Sequence, residues 1–298
     1  MLQSKSFDEH VRLLFKQSKS SGKNCAPGGQ EAVEVGVALD LRAEDSIVPP
    51  QREFLANLDF IASITNGVSV SEMISLLYAR STASGRSSSS APRDGYAALN
   101  LLAPSATIAA QSIDVARANK RKKKGNIMVA FLGDAPKSLD LWQEALHIAG
   151  AKQLPILFVL ESYPLANAAS VKPKRKVADL SGEVKNSKVK KIELEDYGFP
   201  VIPVDGDDAV AVYRVAFEAI KRARQAGGPT LMDCKSNRES GINAAVHGDP
   251  ILLMEQYLTR KGIFTEEWKQ SVVDNFQAEL DEAVKFAEGA AITKRRRR

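Results

Sequence analysis

The sequence predicts an α/β protein with a mostly parallel sheet and helices on both faces. Two observations predict it. Residues 126–134 (NIMVAFLGD) and 155–162 (PILFVLES) are apolar almost without interruption, as strands buried on both faces are. Helix-like segments alternate with these and with further strand-like runs, in the order strand, helix, strand, loop, strand, helix, strand. That is the order of βαβ crossovers.

The elements follow from the residues in turn. In 7–23, Phe7, Val11, Leu14 and Phe15 fall near helical spacing and Gly22 follows the last turn, which predicts an amphipathic helix carrying an exposed His10. GGQEAVEVGVALDL (28–41) reads as a second helix opened by a Gly pair. DSIVPPQREF (45–54) begins with a short apolar run that two prolines stop. Residues 59–79 read as helix in two pieces, and the Ser- and Gly-rich 80–95 as a mobile loop. Small residues over 105–120 predict a closely packed helix. A helix over 138–153 carries His147, read as a packed, hydrogen-bonded residue, and Glu144, read as a partner in a subunit contact or internal ion pair. PVIPVDGDD (200–208) is a third strand ending in an acidic turn, 208–227 a long helix with Gly after a basic last turn, and 229–237 a fourth strand. From Asp249 the chain is mostly helical and charged.

Length and composition bound the class. The 298 residues, 44% of them apolar, suit one large α/β domain over 1–298 with a loop at 80–95, a basic loop at 171–191 and a basic tail at 294–298. No apolar run reaches the ~18 residues of a membrane span, and MLQSKSFDEHVRLLFK has no signal-peptide h-region. Cys25 and Cys234 are far apart in sequence, so a disulfide or zinc site is not expected; both read as small buried residues in a cytoplasmic protein.

The net charge of +5 is clustered in NKRKKKGN (119–126), in 171–191 with eight Lys/Arg against two acids, and in the terminal KRRRR. These clusters read as solvated surface, with an anionic partner as the alternative. No aromatics interleave with the lysines as a single-strand platform needs, so nucleic acid is not expected. There is no GxGxxG or GxxxxGK[ST], no Ser-His-Asp set and no metal-spaced His/Cys cluster. Parallel sheets bind ligands at the carboxyl ends of their strands. That rule gathers Gly133-Asp134, Glu161-Ser162-Tyr163, Asp205-Gly206 and residues 235–238 on one rim.

Five segments in order resemble one family: GGQEAVEVGVALDLRAEDSIV, PPQREF, FLGDAPKSLDLWQEALHIAGAKQLPILFVLES, VDGDDAVAVYRVAFEAIKRARQAGGPTLMD, and DPILLMEQYLTRKGIFTEE with ELDEAVKFAEGA. The family is the alpha subunit of the thiamine-diphosphate-dependent 2-oxo acid dehydrogenases of pyruvate, branched-chain and acetoin type. The resemblance covers nearly the whole chain. It implies a three-layer thiamine-diphosphate-binding fold, oxidative decarboxylation of a 2-oxo acid with acyl transfer to a lipoyl carrier, a beta-like partner subunit or self-association, and thiamine diphosphate with magnesium as cofactors.

By that resemblance Gln51, Arg52, Gly133, Asp134, Ala135, Tyr163 and Arg238 are the cofactor-binding positions, and Asp134 is the metal ligand. Arg52, Asp134 and Arg238 match the family pattern. Gln51 replaces a Tyr, Ala135 a Gly, Ser162-Tyr163 an Asn pair, Asn237 a Tyr and Ile242 a His. A phenol of pKa near 10 is a poor magnesium ligand at neutral pH, and magnesium requires closely placed oxygens. Ala135 narrows the approach of backbone to phosphate. The resemblance therefore implies an eroded cofactor site, and a non-catalytic structural or regulatory paralogue stands as the alternative. It names no catalytic residue in this chain. By itself, Asp134 in GDAPKS also reads as a helix N-cap.

Overall fold

A computed structural model describes residues 1–17, 31–48, 69–75, 105–133, 139–162, 197–236 and 249–296. The elements are α1 (Leu2–Gln17), α2 (Glu31–Ala38), β1 (Ser46–Val48), α3 (Ser105–Lys122), β2 (Met128–Gly133), α4 (Leu139–Lys152), β3 (Ile156–Ser162), β4 (Val201–Asp205), α5 (Ala209–Arg224), β5 (Thr230–Lys235), α6 (Pro250–Arg260) and α7 (Glu266–Arg296).

The described strands form one parallel sheet in the order β1-β2-β3-β5-β4. Connections run in one direction from β1 to β3 and in the other from β4 to β5. Right-handed crossovers of opposite direction put their helices on opposite faces, and two separate cores show this. On one face Met128, Ala130, Ile156, Phe158, Leu160 and Leu231 pack with Ile108 and Ala116 of α3 and Trp142 and Leu146 of α4. On the other, Val129, Phe131, Leu157, Val159, Met232 and Cys234 pack with Val33 and Val37 of α2 and Val212 and Ile220 of α5. Each strand feeds both cores because successive residues point to opposite faces, which is why the strands read as uninterrupted apolar runs. The result is the three-layer α/β architecture expected.

A third cluster ties α1 to α7 through Phe7, Phe276, Leu280, Ala283 and Ala287, joined by Val70, Met73 and Ile74. The burial of Phe276, Leu280, Ala283 and Ala287 at steps of four, three and four gives one helical stripe. Close approach between α2 and α5 depends on Gly36, where an added Cβ would lie 2.8 Å from Val212 Cγ1.

The structure departs from several sequence expectations. The first helix starts at Leu2 rather than at residue 7, and residues 18–23 lie outside the described residues. His10 is half-buried rather than exposed, and its Nε2 is buried without a hydrogen-bond partner. His147 is exposed rather than packed, its ring 4.8 Å from that of Tyr197. α5 ends at Arg224, and Ala226 rather than Gly takes the left-handed conformation after it (φ +60°). The end is still closed, because the Gly227 N–H donates to the Arg222 carbonyl at 2.9 Å. Glu144 is exposed. Cys234 is fully buried as expected, and Cys25, the 80–95 loop and the 171–191 loop lie outside the described residues.

Candidate functional site

Because every described strand runs the same way, their carboxyl ends form a single rim. Register fixes who stands beside whom there. Ser162 of β3 and Asp205 of β4 both pair with Lys235 of the intervening β5, so these three residues form one row. One step down, Glu161 and Val204 flank Cys234 in the same way. On the other side of β3, Gly133 pairs with Leu160 after a register shift that leaves Leu132 as the extra residue. Bulges of this kind re-aim the chain where a strand leaves the sheet, often next to functional sites.

The β4–α5 turn is built by its own acids. The Gly206 N–H donates to the Lys235 carbonyl at 2.8 Å, the Asp207 N–H to Asp205 Oδ1 at 3.0 Å, and the Asp208 N–H to the Asp205 carbonyl at 3.3 Å. Asp208 caps α5 by accepting from the N–H groups of Val210 and Ala211 at 2.9 and 3.1 Å. Gly206 is required by closeness to β5: a Cβ there would lie 2.6 Å from Ser236 Oγ and 3.3 Å from the Lys235 carbonyl.

Electrostatically the described rim is acidic. Glu161 and Asp207 are buried, and Asp205 and Asp208 serve the turn. Lys235 is exposed and lies 3.7 Å from Asp233. The positive end of α5, a natural anion site, is already neutralised by Asp208. Burial pushes the Cys234 thiol far up, with the carboxylates of Glu161 and Asp233 adding to the shift, so it is no nucleophile at neutral pH.

Of the cofactor-binding positions that the resemblance implies, the structure describes Gly133, at the end of β2. Gln51, Arg52, Asp134, Ala135, Tyr163 and Arg238 lie outside the described residues. The strands leading into 134 and 163 are nevertheless neighbours and end at the same edge. Among the described residues no group of three or more His, Cys, Asp and Glu could hold a metal ion. Sequence reasoning missed the buried carboxylates of Glu31, Glu34 and Asp45. Asp45 had no local signal, since its partner Arg224 is 179 residues away.

Such a rim, on a parallel sheet with helices on both faces, places the protein among the open α/β sheets, in which ligands bind outside the carboxyl ends of the strands. The dehydrogenase E1 component family matches residues 1–295, and the chain belongs to that family. It is similar to the chloroplastic pyruvate dehydrogenase E1 component subunit alpha-3 of Arabidopsis thaliana, at 27% identity over 97% of this chain and 69% of the relative. It is 30% identical to the alpha subunit of the acetoin:2,6-dichlorophenolindophenol oxidoreductase of Bacillus subtilis, over 81% of this chain and 68% of that protein. The 2-oxoisovalerate dehydrogenase subunit alpha of the same organism is 26% identical over 97% of this chain and 89% of its own length.

Proposed function

We propose that this chain is the alpha-like subunit of a thiamine-diphosphate-dependent 2-oxo acid dehydrogenase whose cofactor site is eroded. The family match over residues 1–295 carries the first part. The erosion rests on Tyr163 and Ile242, which replace a magnesium-binding Asn and a phosphate-binding His of the resembling family, and on Ala135, which replaces a Gly that lets backbone approach phosphate. Thiamine diphosphate, when bound, supplies the electron sink for decarboxylation. Asp134 would bind its magnesium, and Arg52 and Arg238 its phosphates.

The fit to that group is incomplete among the described residues. The neighbouring ends of β2 and β3 suit a ligand shared between 134 and the residues after Ser162. The acidic turn at β4 does not suit an anion, and Lys235 is already beside Asp233.

A non-catalytic structural or regulatory subunit is the second reading, favoured by the phenol of Tyr163 at a magnesium-ligand position. Either reading entails a partner, a beta-like subunit or a second copy. Among the described residues, five of the eight exposed large apolar side chains belong to α6, α7 and their connection: Leu252, Leu253, Ile263, Trp268 and Phe286. A cytoplasmic location belongs to both readings, and a lipoyl carrier as acyl acceptor to the first.

Calorimetric titration of magnesium thiamine diphosphate into the protein, alone and with any co-purifying subunit, is the test. Saturable, magnesium-dependent heat that disappears in Asp134→Ala supports a working site. Absence of heat in both preparations supports the non-catalytic subunit and removes the enzyme reading.

A further inference from the structure

The amino edge of the sheet, opposite the candidate site, carries a second charged feature. α3 ends in Lys120, Arg121 and Lys122, and Lys123 and Lys124 follow before β2 begins. All five side chains are exposed. Lys152, in the last turn of α4, is exposed beside them, because Lys120 Nζ donates to its carbonyl at 2.6 Å. Two helix ends on one face of the sheet thus bring six cations together.

Helix dipoles account for part of this. Cations in a last turn offset the partial negative charge of the exposed carbonyls, an effect confined to that turn. Lys120, Arg121, Lys122 and Lys152 fall within it. Lys123 and Lys124 lie past the end of α3 and have no such role. Among the described residues no carboxylate pairs with Arg121, Lys122, Lys123 or Lys124. Three acids stand near the segment in sequence or by contact. Asp114 pairs with Arg117 at 3.2 Å. Asp45 is buried against Arg224. Exposed Glu44 touches the segment through its carbonyl, which accepts from Asn126 Nδ2 at 3.2 Å. Unpaired like charges repel one another and gain by accepting an anionic partner.

We propose that this patch, Lys120–Lys124 with Lys152, docks an acidic segment of a partner protein. Its make-up selects that partner over other polyanions. No aromatic side chain stands in 117–126 or 151–153 to stack on bases. None of the exposed large apolar residues among the described ones lies there either, so nothing would insert into a lipid surface. Six cations on two adjacent helix ends are compact, suited to a short run of carboxylates rather than to the long charge track of a duplex. The inference is independent of the cofactor reading, because the patch is on the opposite edge.

The test is fluorescence anisotropy of a labelled oligo-glutamate peptide with the full chain at about 50 mM salt, where surface charges are little screened. Saturable binding that weakens as salt rises is expected. The triple variant Lys122→Glu, Lys123→Glu, Lys124→Glu should bind roughly tenfold or more weakly, from loss of three surface contacts of ordinary strength. The matched triple Lys174→Glu, Arg175→Glu, Lys176→Glu, with the same change in net charge, should bind nearly as wild type. Circular dichroism verifies folding, and the corresponding Gln triple at 122–124 replaces the reversal should it unfold the chain. No saturable binding overturns the proposal, and so does an equal loss from both triples. Tighter binding of duplex DNA or of phosphatidylserine vesicles through residues 122–124 assigns the patch to another partner and overturns it as well.

Discussion

Replacing Arg224 by Met should unlatch the amino edge of the sheet. The guanidinium contacts Asp45 through Nη1–Oδ1 at 3.0 Å and Nη2–Oδ2 at 2.6 Å. It also donates to the carbonyls of Gly125 and Asp40 at 3.1 Å each. The side chains of Asp45 and Arg224 are 1% and 13% exposed, so the pair is buried. Four hydrogen bonds thus join the start of β1, the approach to β2 and the end of α5. Met keeps most of the stem volume but leaves a buried carboxylate and two carbonyls without their cationic donor. Removing one member of a buried pair costs about 3–5 kcal/mol. The backbone N–H groups of Ile127 (2.9 Å) and Arg42 (2.8 Å) still donate to Asp45, which places the cost near the lower end. Urea unfolding followed by circular dichroism should therefore show a loss of about 3 kcal/mol. Asp45→Asn keeps an acceptor for Ile127 and removes the charge, so the double variant should cost less than the two singles added, by about 1–3 kcal/mol. A loss below about 1 kcal/mol, the level of an exposed pair, together with strict additivity would refute the latch.

Two further outcomes follow from buried titratable groups. Burial holds the His10 imidazole below its ordinary value of 6.5, against the opposing pull of the Asp281 carboxylate on α7. The folded state then favours neutral His10, so its contribution is fully present above the ordinary value and is lost as pH falls below it towards the depressed one. Wild type should lose stability relative to His10→Gln as pH falls below the ordinary imidazole value of 6.5; parallel urea profiles of the two proteins would remove His10 from the account. The Cys234 thiol, raised first by burial and then by Glu161 and Asp233, should resist a chromogenic disulfide reagent at pH 8 in a Cys25→Ser background until urea unfolds the chain. Complete labelling of the folded protein within minutes would contradict its placement in the core.

The parts of the fold that were legible are those whose cause is local. VAFLG and ILFVL announced central strands because both faces of each are covered, so no position could be polar. The helix expected from 208 begins one residue on, at Ala209, with Asp208 as its N-cap, a contact that acts within three residues. What was illegible depends on distant partners. Asp45 looks like a loop acid until Arg224 arrives from 179 positions later. His10 was misplaced because an amphipathic helix shows which stripe is apolar but not that α7 would lie close enough to cover its border. His147 was misplaced for the converse reason: its helix packs through Trp142, Ala145, Leu146 and Ala149, a stripe that leaves position 147 outside. Ala226 shows that a left-handed helix end can be held by two backbone bonds without Gly, at a cost of about 1 kcal/mol.

The candidate site was legible as a place rather than as a chemistry, and the layout of the cores explains the separation. The described strands are anchored on both faces by side chains below the rim: Met128 to Phe131 in β2, Ile156 to Leu160 in β3 and Leu231 to Cys234 in β5. The positions that differ from the resembling family, 135, 163 and 242, come after those anchors in sequence. The proposed erosion is therefore expected to be read in ligand binding, with both described cores intact. The acidic rim sharpens that expectation. On the proposed reading, with Asp208 spent on the α5 terminus and Lys235 beside Asp233, a bound diphosphate would depend on Arg52, Arg238 and a cation at Asp134. Each of those groups would then carry a large share of the affinity, and the loss of a single oxygen ligand at Tyr163 would weaken magnesium-coupled binding more than it would at a rim richer in cations.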